Sequence, residues 1–131
     1  VQAGWDDYAD LHITAMIAID ETNAANGSVE MIPGLHKQGL LGKMWSPLTD
    51  SDTGDAEYIP VHCQPGDAVF FDSYAPHRSM PNTTDHARRV LYITFNGASE
   101  GDCRAKYYAD KRVNYPPDVE RDPHKDYSFK V

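Results

Sequence analysis

Residues 12–20, HITAMIAID, put Ile13, Ala15, Ile17 and Ile19 on one parity and His12, Thr14, Met16, Ala18 and Asp20 on the other. Period-two alternation of this kind belongs to a strand with one mostly apolar face, here the isoleucine face. The next stretch, ETNAANG, ends in Asn26-Gly27, a dipeptide that accepts positive φ and joins strands in hairpins. Residues 28–32 are therefore expected to return antiparallel to the first strand. Pro33-Gly34 halts pairing, and the polar, Gly-rich, aperiodic stretch after Gly34, running through Trp45 to Gly54, reads as a long surface loop of the kind kept for a lid or a binding function.

Further runs repeat the pattern. Residues 57–63, EYIPVHC, form a strand in which Pro60 marks an edge or a bulge. After the turn Pro65-Gly66-Asp67, AVFFDS over 68–73 is an apolar run too brief for a helix, and ARRVLYITFN over 87–96 is rich in β-branched and aromatic residues. Residues 79–85 between them are polar and turn-forming. Ser99, with Asp102 three residues on, caps a helix expected over 99–113, and Pro116-Pro117 forbids its continuation. Several short strands and one late helix define an all-β fold, an antiparallel sandwich or jelly roll. With 131 residues there is room for one core, hence a single domain over 1–131.

Twenty acidic residues against 12 basic give a formal charge of −8, which repels phosphate backbones and anionic lipid. Nucleic acid and membrane partners are not expected, and no apolar run reaches the roughly 20 residues of a membrane helix. Cys63 and Cys103 show no paired framework, so free thiols and a cytoplasmic location are expected. The first residues, VQAGW, carry neither an initiating Met nor a signal sequence; the chain is expected to begin mid-protein.

Chemistry concentrates in residues 65–96. His77 ends one expected strand and Arg88 begins the next, and antiparallel neighbours joined by a loop bring such ends to one edge. Neutral imidazole suits a first-row metal, and a guanidinium fork matches a carboxylate. A ligand with a chelating end and a distant carboxylate satisfies both, and 2-oxoglutarate is such a molecule. Arg89 competes with Arg88, but adjacent strand residues face opposite sides and the spacing favours Arg88.

The order of a PGD turn, a buried strand, His77-x-Ser79-x-x-Asn82 and Arg88 resembles the phytanoyl-CoA dioxygenase family of iron(II) and 2-oxoglutarate dependent oxygenases. Asn26-Gly27 and Pro33-Gly34-Leu35-His36 resemble further segments of that family, and the likeness covers most of residues 11–96. The resemblance implies a double-stranded β-helix. It also implies His77 as the distal metal histidine, Arg88 as the 2-oxoglutarate arginine, Ser79 as a hydroxyl on the same carboxylate, and Fe(II), 2-oxoglutarate and O2 as cofactors and co-substrate. The implied reaction hydroxylates a small organic substrate and releases succinate and CO2.

The family's other two ligands form an H-x-D motif upstream of the strand at His12. No such motif stands there: either the sequence starts after it, or Val1-Gln2-Ala3 is a degenerate version. The H-x-D at His124-Lys125-Asp126 lies on the wrong side of the core and is a chance match, and Asp6 and Asp7 read as a solvated acidic pair. His36 anchors the long loop. Tyr74, Trp5 and Met16 are of types that can line a substrate pocket but more often belong to a core, and no role is assigned to them. The rival reading is a cupin-like binding or structural jelly roll without a complete metal site.

Overall fold

The computed structural model describes residues 7–43 and 46–127; Trp5, Asp6 and Val1-Gln2-Ala3 lie outside them. Among the described residues six strands, β1 (His12–Ala18), β2 (Val29–Met31), β3 (Ile59–Pro60), β4 (Ala68–Asp72), β5 (His77–Ser79) and β6 (Val90–Asn96), are divided between two antiparallel sheets. The first sheet has the order β4-β1-β6 and the second β3-β2-β5. Two helices, α1 (Asp50–Thr53) and α2 (Arg104–Asn114), complete the regular elements. This is the sandwich of a jelly roll.

The core lies between the sheets. Met16 and Ala18 of β1 meet Val29 of β2, Phe71 of β4, Cys63 and Ala75, with Met31, Val69 and Val90 packed around them. Burying a side chain such as Met16, which is 1% exposed, contributes about 1.5–3 kcal/mol as an upper bound. Parity alone misplaces this face. Ile13 is 37% exposed and points away from the core, because the even positions of β1 pack on the second sheet. What decides is the partner sheet: Thr14 pairs its hydroxyl with that of Thr94 at 3.0 Å, an inward contact that apolar counting cannot weigh.

The connection after β1 also differs from expectation. Asn26-Gly27 does not close a hairpin on β1; it carries the chain into the other sheet, where β2 pairs with β3 and β5. The turn is stabilised from within, since the Asn26 amide accepts from Asn23 N at 2.8 Å and donates to Glu21 O at 2.8 Å. Such self-sufficient polar wiring frees the turn from needing paired strands on both sides. Gly27 has φ 75°, and a Cβ there would lie 2.2 Å from Met80 O. Only glycine fits that approach.

Other boundaries shift for physical reasons. The strand expected over 57–63 shrinks to Ile59–Pro60; Val61 N still donates to Val29 O at 2.7 Å, and a single bridge then joins Cys63 to Thr22. The helix begins at Arg104 rather than near Ser99 because residues 98–100 form a separate 3-10 turn. Part of the expected long loop is ordered as α1, which starts with a reciprocal Thr49–Asp52 capping box. Cys63 and Cys103 are free thiols. No described helix is long and apolar enough to cross a membrane.

Candidate functional site

His77 sits on a strand of its own. β5 was hidden in the sequence because three residues, HRS, are too few and too polar to show a period. It pairs with β2 through Met31↔His77, Glu30↔Arg78 and Val29↔Ser79. Val29 and Met31 belong to the core side, so His77 and Ser79 share the inner face, and Arg78 points away to the Glu30 carboxylate at 2.7 Å and the Tyr58 ring at 4.0 Å. The premise that β4 and β6 are neighbours also fails, since β1 lies between them.

The His77 ring packs on Phe71 with centroids 5.2 Å apart. Its Nδ1 lies 2.9 Å from Ala75 O. A carbonyl only accepts, so Nδ1 carries the proton and Nε2 keeps the lone pair, the arrangement that orients a metal-binding imidazole. Burial pushes the His77 pKa below its ordinary value, against the opposing pull of the Ala75 hydrogen bond. The ring is neutral at pH 7, and it borders a cavity of about 190 Å³ roofed by Leu40, Leu41 and Leu48 of the long loop.

Arg88 and Arg89 separate as alternation requires. Arg89 is held outside by the Asp20 carboxylate, whereas Arg88 lies two residues before the core residue Val90 and meets the Tyr92 hydroxyl on the same face. Burial raises the Tyr92 pKa, with the Arg88 charge working against it. Among the described residues, Arg88 Nη1 is the buried side-chain nitrogen with no hydrogen-bond partner. A desolvated guanidinium N–H left unpaired costs about 1–3 kcal/mol or more, so it marks a place where an acceptor is missing.

An anionic acceptor such as a carboxylate fits that place. The fit to iron is partial: His77 presents one nitrogen, and among the described residues no three His, Cys, Asp or Glu side chains gather to hold a metal ion. Ser79 is exposed and lies two positions from His77 on the same face. The two sides of the site are linked through the core, His77 resting on Phe71 and Arg88 leading into Val90. His124 lies in an exposed turn with its N–H on Asp122, Asp7 is exposed, His36 lies in a short 3-10 turn at the start of the long loop, and Met16 is core. Sequence reasoning missed Tyr92 and the Ala75 carbonyl; the even parity of Tyr92 with Arg88 was the available signal for the first.

The phytanoyl-CoA dioxygenase (PhyH) family profile matches residues 2–90, a stretch that contains His77, Ser79 and Arg88. The chain is 48% identical over 105 residues to a methylphosphonate hydroxylase of Gimesia maris, covering 79% of this chain and 40% of that protein. It is 39% identical over 122 residues to a 2-aminoethylphosphonate dioxygenase of an uncultured bacterium, covering 89% and 45%. The chain thus spans less than half the length of these relatives. Among solved structures, AviO1 from Streptomyces viridochromogenes superposes with a TM-score of 0.56 at 26% identity, covering 66% of this chain and 37% of that one. SnoK, a non-heme alpha ketoglutarate dependent carbocyclase from nogalamycin biosynthesis, gives 0.57 at 23%, covering 68% and 40%.

Proposed function

The chain belongs to the phytanoyl-CoA dioxygenase family, and from that premise we propose that it carries the His77 and Arg88 side of the active site of an iron(II) and 2-oxoglutarate dependent dioxygenase. The observation that carries this reading is the buried, unpaired Nη1 of Arg88 on the inner face of the first sheet. The far carboxylate of 2-oxoglutarate supplies the missing acceptor, and a partly desolvated guanidinium binds it more strongly than one in water. Ser79 adds a hydroxyl on the side of His77.

His77 offers Nε2 to the metal, and the Ala75 carbonyl fixes the tautomer and the ring plane. The remaining two ligands belong to residues other than those described. When bound, iron with 2-oxoglutarate and O2 supplies the oxidising power, and one oxygen atom goes to the substrate while the other leaves in succinate with release of CO2. The chain's own share is to bind, orient and keep water from the cofactors, with the leucines of the long loop over His77 as the cover.

The substrate we assign is a small organophosphonate, a choice supported by the names of the two relatives described above. The test adds ferrous iron and 2-oxoglutarate without oxygen to a protein that contains this chain together with an upstream H-x-D segment. A metal-to-ligand charge-transfer absorption is expected, followed by succinate when O2 and methylphosphonate are admitted. His77→Ala is expected to abolish the absorption. Its persistence in that variant, or its absence from the unaltered protein, would overturn the reading and favour a non-catalytic ligand-binding jelly roll.

A further inference from the structure

The cavity beside His77 has both walls inside the matched residues 2–90, so this chain's own fold bounds it. One wall is Ala75, Pro76 and the start of β5, and the other is the loop from Leu40 to Asp50. Besides the neutral His77 ring, three titratable or cationic groups face it from these walls: Lys43, Asp50 and Arg78. Two of them are committed to each other's surroundings. Arg78 is held by the Glu30 carboxylate and lies over the Tyr58 ring, and the Asp50 charge acts on that same guanidinium. Lys43 is left over: among the described residues no ion pair or hydrogen bond holds its ammonium.

The backbone under Lys43 is seated all the same. Gly42 has φ 66°, and a Cβ there would lie 2.9 Å from Asp52 Cγ, so the chain runs hard against α1 just before Lys43. Asp52 turns its Oδ2 to the N–H and the hydroxyl of Thr49, at 2.7 Å each. On the other side Ser46 N donates to Lys43 O at 3.2 Å, a turn that brings the two residues close. The Ser46 hydroxyl belongs to the same cavity wall and, among the described residues, makes no hydrogen bond of its own. A cation and a hydroxyl, both unspent, thus stand together on the rim of the space that His77 borders.

We propose that Lys43 and Ser46 hold the phosphonate group of the substrate, the ammonium and the hydroxyl each donating to its oxygens. This rests on the organophosphonate reading given above and deepens it by naming the residues that select the substrate. A phosphonate carries its negative charge on oxygens that accept hydrogen bonds; lysine meets such a group as a point charge with three donors, and a serine hydroxyl adds a directed bond. The chain as a whole carries a formal charge of −8 and repels anions, so recognition needs a local cation that is not already neutralised. The leucines Leu40, Leu41 and Leu48 then flank the carbon end, between the phosphonate and the His77 side. A cavity of about 190 Å³ is smaller than the roughly 300–1,000 Å³ of sites for drug-sized ligands, and it suits a short-chain phosphonate.

The test uses the protein that contains this chain together with an upstream H-x-D segment, free of metal, and follows the binding of methylphosphonate and 2-aminoethylphosphonate by phosphorus NMR, with cooperative melting as the check of folding. Lys43→Met, which keeps the stem and removes the charge, is expected to raise the dissociation constant roughly tenfold or more, and Ser46→Ala to raise it by about a few-fold. Lys43→Arg is expected to recover most of the affinity. Lys37→Met, at an exposed lysine outside the cavity, is expected to change nothing. With ferrous iron and 2-oxoglutarate added, the charge-transfer absorption should be as strong in Lys43→Met as in the unaltered protein. Absence of phosphonate binding, unchanged affinity in Lys43→Met, or no recovery in Lys43→Arg overturns the inference, whether or not that absorption forms. Acetate bound as tightly and with equal dependence on Lys43 would mark a general anion site and overturn it equally. Lys43-dependent phosphonate binding in a protein without the absorption would instead sink the iron and 2-oxoglutarate reading and leave the phosphonate site standing.

Discussion

Arg89 clasps Asp20 with two prongs, Nε to Oδ2 at 2.9 Å and Nη2 to Oδ1 at 2.8 Å, and its backbone N–H adds a third bond to Oδ2 at 2.8 Å. The clasp fixes Arg89 on the outside and, by alternation, Arg88 on the inside. Removing a charge-assisted contact to a bound carboxylate costs about 1.5–3 kcal/mol, so Arg88→Ala should raise the 2-oxoglutarate concentration for half-saturation by roughly tenfold to a hundredfold. Arg89→Ala should leave it unchanged. Titration of the charge-transfer band in the complete protein separates the two, and equal effects would sink the assignment of Arg88.

Acid should release the same clasp. The hydrogen bonds from Arg89 hold the Asp20 carboxyl down from 3.8 to about 2. A carboxylate with a depressed folded pKa contributes stability that is complete above its ordinary value and is lost as pH falls toward the folded one. Unfolding midpoints should therefore drop between about pH 4 and pH 2, and Asp20→Asn should flatten part of that drop. An unchanged slope in the variant would show that the clasp adds nothing.

His77 should act in a different window and for the opposite reason. Burial keeps it neutral in the folded protein, while the unfolded chain takes up a proton below the ordinary value of 6.5. Stability is then complete above that value and declines as pH falls through it toward the lowered folded pKa. Urea midpoints at pH 7, 6 and 5 should fall less steeply for His77→Gln than for the unaltered chain. Parallel slopes would mean that the ring is not desolvated.

Gly27 is constrained twice, by its φ of 75° and by Met80 O, which an added Cβ would approach to 2.2 Å. Gly27→Ala should cost about 1–3 kcal/mol from backbone strain alone, with more if Met80 cannot move. Chemical denaturation measures it. A loss below about 0.5 kcal/mol, the usual range for an unconstrained surface site, would show that the turn relaxes freely.

The legible parts of the fold were those with period and length. β1, β4 and β6 lie where alternation and β-branched runs put them, and the late helix lies within a few residues of its forecast. Sheet membership was not legible, because Asn26-Gly27 satisfies its own polar groups and looks the same whether it closes a hairpin or crosses between sheets. Nor was β5, since three polar residues carry no pattern. At the site, alternation allowed only one of Arg88 and Arg89 to face inward, and the spacing from His77 chose Arg88. His77 was picked out by order and spacing, yet its tautomer depends on the Ala75 carbonyl, a contact made by chain geometry that no side-chain pattern records.

The linker between His77 and Arg88 is braced from within. Asn82 Nδ2 donates to His86 O at 2.7 Å, and Thr84 Oγ1 donates to Asn82 Oδ1 at 2.8 Å, while Thr83 Oγ1 reaches Ala25 O at 2.8 Å. Nothing in this bracing calls on the leucines that roof the cavity beside His77. The roof can thus be rewritten, residue by residue or as a grafted loop, without disturbing the spacing of His77 and Arg88. For directed evolution this makes residues 40–49 the natural library and residues 77–88 the part to leave alone.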